Sequence, residues 1–529
     1  MKNELNKFIF NEKIYYFLLI CFGLLVSFYY FSVYDQTTIN QALIRSDEIY
    51  YKDKFNFQYL DAKNSWSLIF NLIIFLRKLN ISLDFISFFI LLLPLYMSLF
   101  GLFLISKILS DNVIFSFFVS CIIVIGNIHF GNLDYPVNII SRDSGSMIGT
   151  ACALLVFGLI ADKKLSLAIL FSILLFGIHL VIGAWVLSVL VLSIYLFGKK
   201  KLFINFLTKK NIILIILTSS IIVLSFLESY LNKVNVPWPN NEYLYQVYLD
   251  EWDHHRSKIF GINYIYILLS FTMLVVLFFF FKKEDKKKEH FFFFNTLALH
   301  VLFSFIIYIT YKIFPSFYQG IFLKVIPSRF FLIHSVFGVA IISSIIFFYL
   351  KPFLKNTKIQ IAIFLILFLH PLFYLDRYTN KFERIYKNLA SVKREYDQKF
   401  WNEIKDLDIS NGLILSSVHS CSKTLRIAKK PILICMESID GIPYMNGLIK
   451  PVKDIIENIY EVDYFNPPIK NYGGFNSDNI YKKTFENRSA EDWSIIFKDF
   501  NLKGLILPND WNLQLNKFLI GKKYAYYKL

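Results

Sequence analysis

Five carboxylates fall close together near the N-terminus: Asp35, Asp47, Glu48, Asp53 and Asp61, set among Tyr, Phe and Trp. Carboxylates at this density can supply a general base that takes the proton of an acceptor hydroxyl, or can hold a divalent cation. The adjacent pair Asp47-Glu48 offers either chemistry, and Asp35 follows directly on an apolar run. Solvated acids of an ordinary loop would read the same way. Cationic candidates come later. Arg142-Asp143 follows His129 and Asp134, and a guanidinium can grip a phosphate bidentately, although an interfacial Arg also snorkels or pairs with a neighbouring Asp. Lys324 and Arg329 frame the turn Ile326-Pro327-Ser328 and suit a phosphate head group, with His334 one turn further on. His179 precedes Gly183 and Trp185 between two apolar stretches. Asp250, Glu251, Asp253, His254 and His255 cluster, but adjacent His side chains rarely share one ion and no further His follows at ligand spacing. A solvated loop accounts for them better.

The elements that must position these residues are mostly apolar. The chain has 529 residues, 56% hydrophobic and 19% aromatic, with positive mean hydropathy. Runs of about 20 apolar residues are the length of a membrane span. Eleven such stretches are expected, at 14–34, 83–106, 112–128, 146–160, 165–181, 184–198, 211–229, 261–281, 291–311, 329–350 and 358–376. Lysine-bearing segments recur at every second gap: the N-terminus, Lys107, Lys163-Lys164, 199–210, 282–288 and 351–358. Cytoplasmic loops collect Lys and Arg, so the expectation is a polytopic α-helical protein of the cytoplasmic (inner) membrane of a bacterium, with its N-terminus inside. The bias toward Phe, Ile, Lys and Asn is that of an AT-rich bacterial genome. The first apolar run lacks a small-residue cleavage site and reads as a span rather than a signal peptide. The net charge of +17 is spread over these loops, where it orients spans and meets anionic lipid, so nucleic acid is not an expected partner.

This orientation puts four substantial segments on the outer side: 35–82, 129–145, 230–260 and 312–328. Residues 1–376 are then a transmembrane domain with a long first outer loop, and 377–529 an extracytoplasmic domain. There the apolar runs shorten and charge rises. Strands are expected at 412–416, 431–435, 504–508 and 524–527, with helices at 382–407, 452–460 and 491–500, which together make a small α/β domain. Five cysteines are too few for a disulfide scaffold. Cys421 and Cys435 could pair in an oxidising compartment. There is no P-loop, GxGxxG, GxSxG or CxxC pattern.

An inside N-terminus, an acidic first outer loop with an Asp-Glu pair, about eleven spans and an outer C-terminal domain resemble the GT-C superfamily of integral membrane glycosyltransferases. The stretch Asp47-Glu-Ile-Tyr-Tyr-Lys-Asp53, and the closing Gly504-Leu-Ile-Leu-Pro508 and Tyr524-Ala-Tyr-Tyr-Lys528, are similar to segments of its bacterial members. The resemblance implies transfer of a sugar from a polyprenyl-phosphate donor to a glycan, lipid or protein acceptor on the outer face, with the lipid bilayer as partner. It implies Asp35, Asp47 or Glu48 as the base, and Arg142, Asp143, His179, Lys324, Arg329 and His334 as substrate-binding residues. A divalent cation is the one cofactor to consider, and no metal ligands can be assigned. A polysaccharide polymerase or ligase, or a non-catalytic protein of the same shape, are the alternatives. A transporter would show span-interior charges or inverted repeats; the expected spans hold almost no Asp, Glu, Lys or Arg, and no repeat is apparent.

Overall fold

A computed structural model of the chain describes residues 12–30, 37–49, 52–126, 145–198, 208–253, 264–284, 289–314, 328–353, 397–409, 411–417, 420–434, 442–467 and 480–529. The chain divides into two compact units. The first comprises Met1–Tyr34, Ile81–Leu224 and Ile259–Leu389, and the second comprises Asp35–Asn80, Ser225–Lys258 and Ala390–Leu529.

The helices, in chain order, begin with α1 (Glu12–Tyr30), α2 (Thr37–Arg45), α3 (Phe57–Asn64), α4 (Leu68–Lys78), α5 (Leu83–Ser110), α6 (Val113–Gly126) and α7 (Gly145–Ala161). Next come α8 (Leu165–Ile178), α9 (Leu180–Phe197), α10 (Lys209–Leu231), α11 (Glu242–Val247), α12 (Tyr264–Lys283), α13 (Phe291–Ile313) and α14 (Ser328–Leu350). Helices thus occupy ten of the eleven expected stretches, and the last, 358–376, lies outside the described residues. Among the described residues, five helical segments are long and apolar enough to cross a membrane: Leu83–Ser110, Leu180–Phe197, Lys209–Leu231, Phe291–Ile313 and Ile333–Leu350. The apolar helices Val113–Ile125, Met147–Ala161 and Leu165–Ile178 are shorter. This is the architecture of a multi-pass membrane protein.

Without a hydrophobic drive between helices in lipid, close packing and small residues hold a bundle together. Helices α5 and α7 cross at two glycines. A Cβ on Gly101 would stand 2.4 Å from the Leu154 carbonyl oxygen, and one on Gly158 would stand 2.6 Å from the Gly101 carbonyl oxygen. The hairpin between α8 and α9 is a single residue, His179. Gly183 lets α9 approach α8, because a Cβ there would lie 2.2 Å from the Cα of Phe176. Among the described residues, several of the expected lysine segments are tied together at one end of the bundle. Lys107 bridges Glu12 at 2.8 Å and Asp162 at 3.1 Å, and Lys164 reaches Asp162 at 2.7 Å. Lys163 pairs with Glu289, and Lys351 donates to the Asp111 carbonyl at 2.7 Å.

In the second unit, α2, α3 and α4 form a helical cluster on a core that includes Ile39, Leu43, Phe57, Leu60 and Ile73, all buried. Asn56 caps α3 by accepting from the Tyr59 amide at 3.0 Å, and Ser67 caps α4. Residues 225–253 bind this cluster through Trp66 and Asn71, which both donate to Ser225 Oγ at 2.9 and 2.8 Å. They bind the C-terminal part through Trp252, whose Nε1 donates to the Tyr464 carbonyl at 2.7 Å. Of the expected outer segments, the first and the third therefore fold with the C-terminal region into one unit, while 129–145 and 312–328 belong to the first unit.

The C-terminal part adds α15 (Gln398–Asp406), α16 (Cys421–Arg426), α17 (Ile449–Tyr460), α18 (Lys482–Asn487) and α19 (Ala490–Asp499). Its sheet holds β1 (Leu413–Ser416), β2 (Leu502–Pro508), β3 (Asn516–Ile520) and β4 (Tyr524–Lys528) in the order β1-β2-β4-β3. Strands β1 and β2 are parallel and the other pairs antiparallel. Two expectations change. Residues 431–434 make a single bridge, Ile414 to Ile432, instead of a strand, since Pro431 has no N–H to extend a ladder. The edge strand β3 was not expected, and its half-exposed alternation explains why. Helix α15 lies within the expected 382–407, whose earlier residues are outside the described ones. Cys421 is buried at the start of α16, and Cys435 lies outside the described residues.

Candidate functional site

The Asp-Glu pair stands in the turn after α2, and its two carboxylates have different surroundings. Asp47 has φ 61°, in the left-handed region that Asp and Asn tolerate better than other residues with a Cβ. Its side chain is half-exposed, and Oδ1 pairs with Lys63 Nζ at 2.7 Å. Lys63 is held in turn by the Arg45 carbonyl at 2.9 Å. Among the described residues Oδ2 of Asp47 has no partner.

Glu48 is fully engaged. The Arg77 guanidinium grips it bidentately, Nε to Oε1 and one terminal nitrogen to Oε2, both at 3.0 Å, and Lys429 Nζ adds a third contact to Oε2 at 3.0 Å. Burial works to raise the Glu48 pKa, but the hydrogen bonds and charges of Arg77 and Lys429 outweigh it and hold the carboxyl below its ordinary value. Three cationic side chains around the pair disfavour a divalent ion there. Among the described residues no group of three or more His, Cys, Asp or Glu could hold a metal.

The other first-segment carboxylates are built into the fold. Asp61 is buried and accepts from Gln41 at 2.9 Å and Ser65 at 3.0 Å. Asp53 caps the Phe55 amide at 2.7 Å and accepts from Asn501 at 3.1 Å. Beside them Arg45 is buried, donating to the Ala62 and Ser65 carbonyls and pairing with Glu228 at 3.3 Å. Asp35 lies outside the described residues, as do Arg142, Asp143 and Lys324. Arg329 stands in the first turn of α14, and its side chain is outside the described set.

Within the helix bundle, His179 caps α9: its Nδ1 accepts from the Ile182 amide at 3.3 Å. His334 meets a partner on the neighbouring helix, His300. Its Nδ1 lies 3.4 Å from Nδ1 of His300, and its Nε2 lies 3.0 Å from Ser270 Oγ, so the chain of polar groups ties α12, α13 and α14 together. Trp185 stacks on Phe330 at 3.9 Å between ring centroids and sits edge-on to His300. Both Trp185 Nε1 and His300 Nε2 are buried without a hydrogen-bond partner among the described residues.

An apolar groove of about 590 Å³ runs between α12 and α13, lined by Ile267, Leu268, Phe271, Phe305 and Tyr308, with Lys312 toward the end of α13. Its lining suits a hydrocarbon chain, with a cation near one end. The cationic partners of the pair, Lys63, Arg77 and Lys429, were not singled out in the sequence. The one signal available was the Arg77-Lys78 ending of an otherwise apolar helix. No protein-family model matches this chain, and no curated protein matches it.

Proposed function

We propose that this protein is a membrane glycosyltransferase that moves a sugar from a polyprenyl-phosphate donor to a glycan, lipid or protein acceptor, with Asp47 as general base. The observation that carries this reading is the division of labour in the pair. Glu48 is immobilised by Arg77 and Lys429, while Asp47 keeps one carboxylate oxygen uncommitted at an exposed turn. In the reaction the base takes the acceptor O–H proton. The acceptor oxygen bonds to the anomeric carbon, and the bond from that carbon to the phosphate oxygen breaks. Polyprenyl phosphate leaves with the electron pair. The apolar groove between α12 and α13 supports a hydrocarbon-tailed donor. Lys324, Arg329 and Arg142 remain the proposed phosphate contacts.

In this reading the host membrane is the bacterial inner membrane, with the N-terminus cytoplasmic and the second unit extracytoplasmic. The shared lysine-bearing end of the bundle supports that orientation. A topology reporter fused at Asn411 should be active only in its extracytoplasmic form, and a cytoplasmic signal there would reverse the orientation. The activity is tested with the purified chain in lipid nanodiscs and a set of polyprenyl-phosphate sugars carrying a labelled sugar. The expected result is labelled acceptor plus an equal amount of released polyprenyl phosphate. Release of polyprenyl phosphate matched by free sugar would mean hydrolysis, and no turnover across the set would favour the non-catalytic alternative.

A further inference from the structure

A second polar site lies in the C-terminal part, among α17, α18 and α19. There a groove of about 680 Å³ opens, within the ~300–1,000 Å³ range of small-molecule sites. One wall is fixed by Arg488, which is buried. Its guanidinium donates to the Ile459 carbonyl at 2.9 Å, to the Asn458 carbonyl at 3.2 Å and to Glu461 at 2.7 Å, and it lies over the Trp493 ring at 5.2 Å. A reciprocal Ser489–Asp492 capping box fixes the start of α19 beside it.

Around this rigid frame the groove presents Asn458, Lys483, Thr484, Asn487 and Asp499. None of these side chains has a hydrogen-bond or ion-pair partner among the described residues. Two amides, a hydroxyl, an ammonium and a carboxylate give mixed donors and acceptors at close spacing. Ile495, which is exposed, and Phe500 add an apolar strip. The charges of Lys483 and Arg488 are outnumbered by Glu461, Asp492 and Asp499, and Arg488 is already neutralised by Glu461. A phosphate or other anion would meet an unfavourable field. A neutral polyhydroxylated ligand matches on each count: hydroxyls for the planar amides and carboxylate, and C–H faces for the apolar strip.

We infer that this groove binds a neutral oligosaccharide, which under the glycosyl-transfer reading is the acceptor, so the inference rests on that reading for its role but not for the binding itself. The test is saturation-transfer NMR and calorimetry on the full chain in nanodiscs with neutral glucan, mannan and galactan oligosaccharides, and with a sulfated oligosaccharide as the charged comparison. The expected result is saturable binding of at least one neutral series. Asn487→Ala with Asp499→Ala should weaken it roughly tenfold or more, the cost of two lost hydrogen bonds. Thr484→Val, a near-isosteric change, is the second variant should the pair fail to fold. Absence of neutral binding, binding unchanged in the folded variants, or preference for the sulfated ligand would overturn the inference. Turnover by the wild type with no oligosaccharide binding overturns the groove and leaves the transferase standing. Oligosaccharide binding at the groove in a protein without turnover upholds the groove and removes the transferase.

Discussion

Asp47→Asn should lower sugar transfer by about 10²–10⁴-fold, the contribution of a positioned general base, while the protein folds and keeps its donor affinity. The substitution is chosen from the backbone outward. At φ 61° most residues with a Cβ are strained, but Asn adopts this conformation as readily as Asp. Its amide oxygen can still accept from Lys63 Nζ. What disappears is the capacity to take a proton. Glu48→Gln separates the two roles: it removes no base on this reading, so its loss of activity should be smaller than that of Asp47→Asn and should track loss of folded protein. Initial rates of label transfer at saturating donor, set beside circular dichroism and thermal melting of each variant, decide the matter. Full activity in a folded Asp47→Asn protein would move the base to Asp35. A folded Glu48→Gln protein that is the more damaged of the two would reverse the assignment.

The parts of this molecule readable from the chain are those set by local patterns. Apolar runs near 20 residues give helices in lipid whatever surrounds them, so α5, α10, α13 and α14 stand where the runs are. Amphipathic spacing likewise locates α17 and α19. Pairings across the chain have no such signal. Glu48 is held by Lys429, 381 residues away, and nothing near either residue announces the other. His300 reads as isolated because its partner, His334, lies on the next helix. Strand β3 escapes notice because an edge strand with one exposed face needs few apolar residues. Gly101 and Gly158 look like ordinary small residues in apolar runs until the crossing of α5 and α7 brings each against the backbone of the other helix. The adjacency of Asp47 and Glu48 marks only a candidate. Which of the two is committed to structure depends on the left-handed turn and on three distant cations.

That commitment gives the second large effect, on stability and its pH dependence. Glu48 is three-quarters shielded and accepts three charge-assisted contacts from Arg77 and Lys429. Glu48→Gln leaves both cations without their carboxylate, at a cost of roughly 1–3 kcal/mol for lost hydrogen bonds to charged groups. The folded pKa is depressed below the ordinary value of 4.5. Its stabilisation is therefore fully present above that value, because the unfolded chain binds the proton more readily than the folded one. As pH falls through the depressed folded value, the carboxyl protonates in the folded state too and the contribution vanishes. The melting temperature of Glu48→Gln should thus lie well below wild type at pH 7, and the gap should narrow as pH drops below about 4.5. Arg77→Ala should show the same narrowing, since it removes the bidentate partner of the same carboxylate. A gap that stays constant from pH 7 to pH 3.5 would mean that Glu48 contributes through packing rather than charge. The clamp would then be no firmer than Asp47's own single ion pair with Lys63, and the reason for assigning the base to Asp47 over Glu48 would go with it.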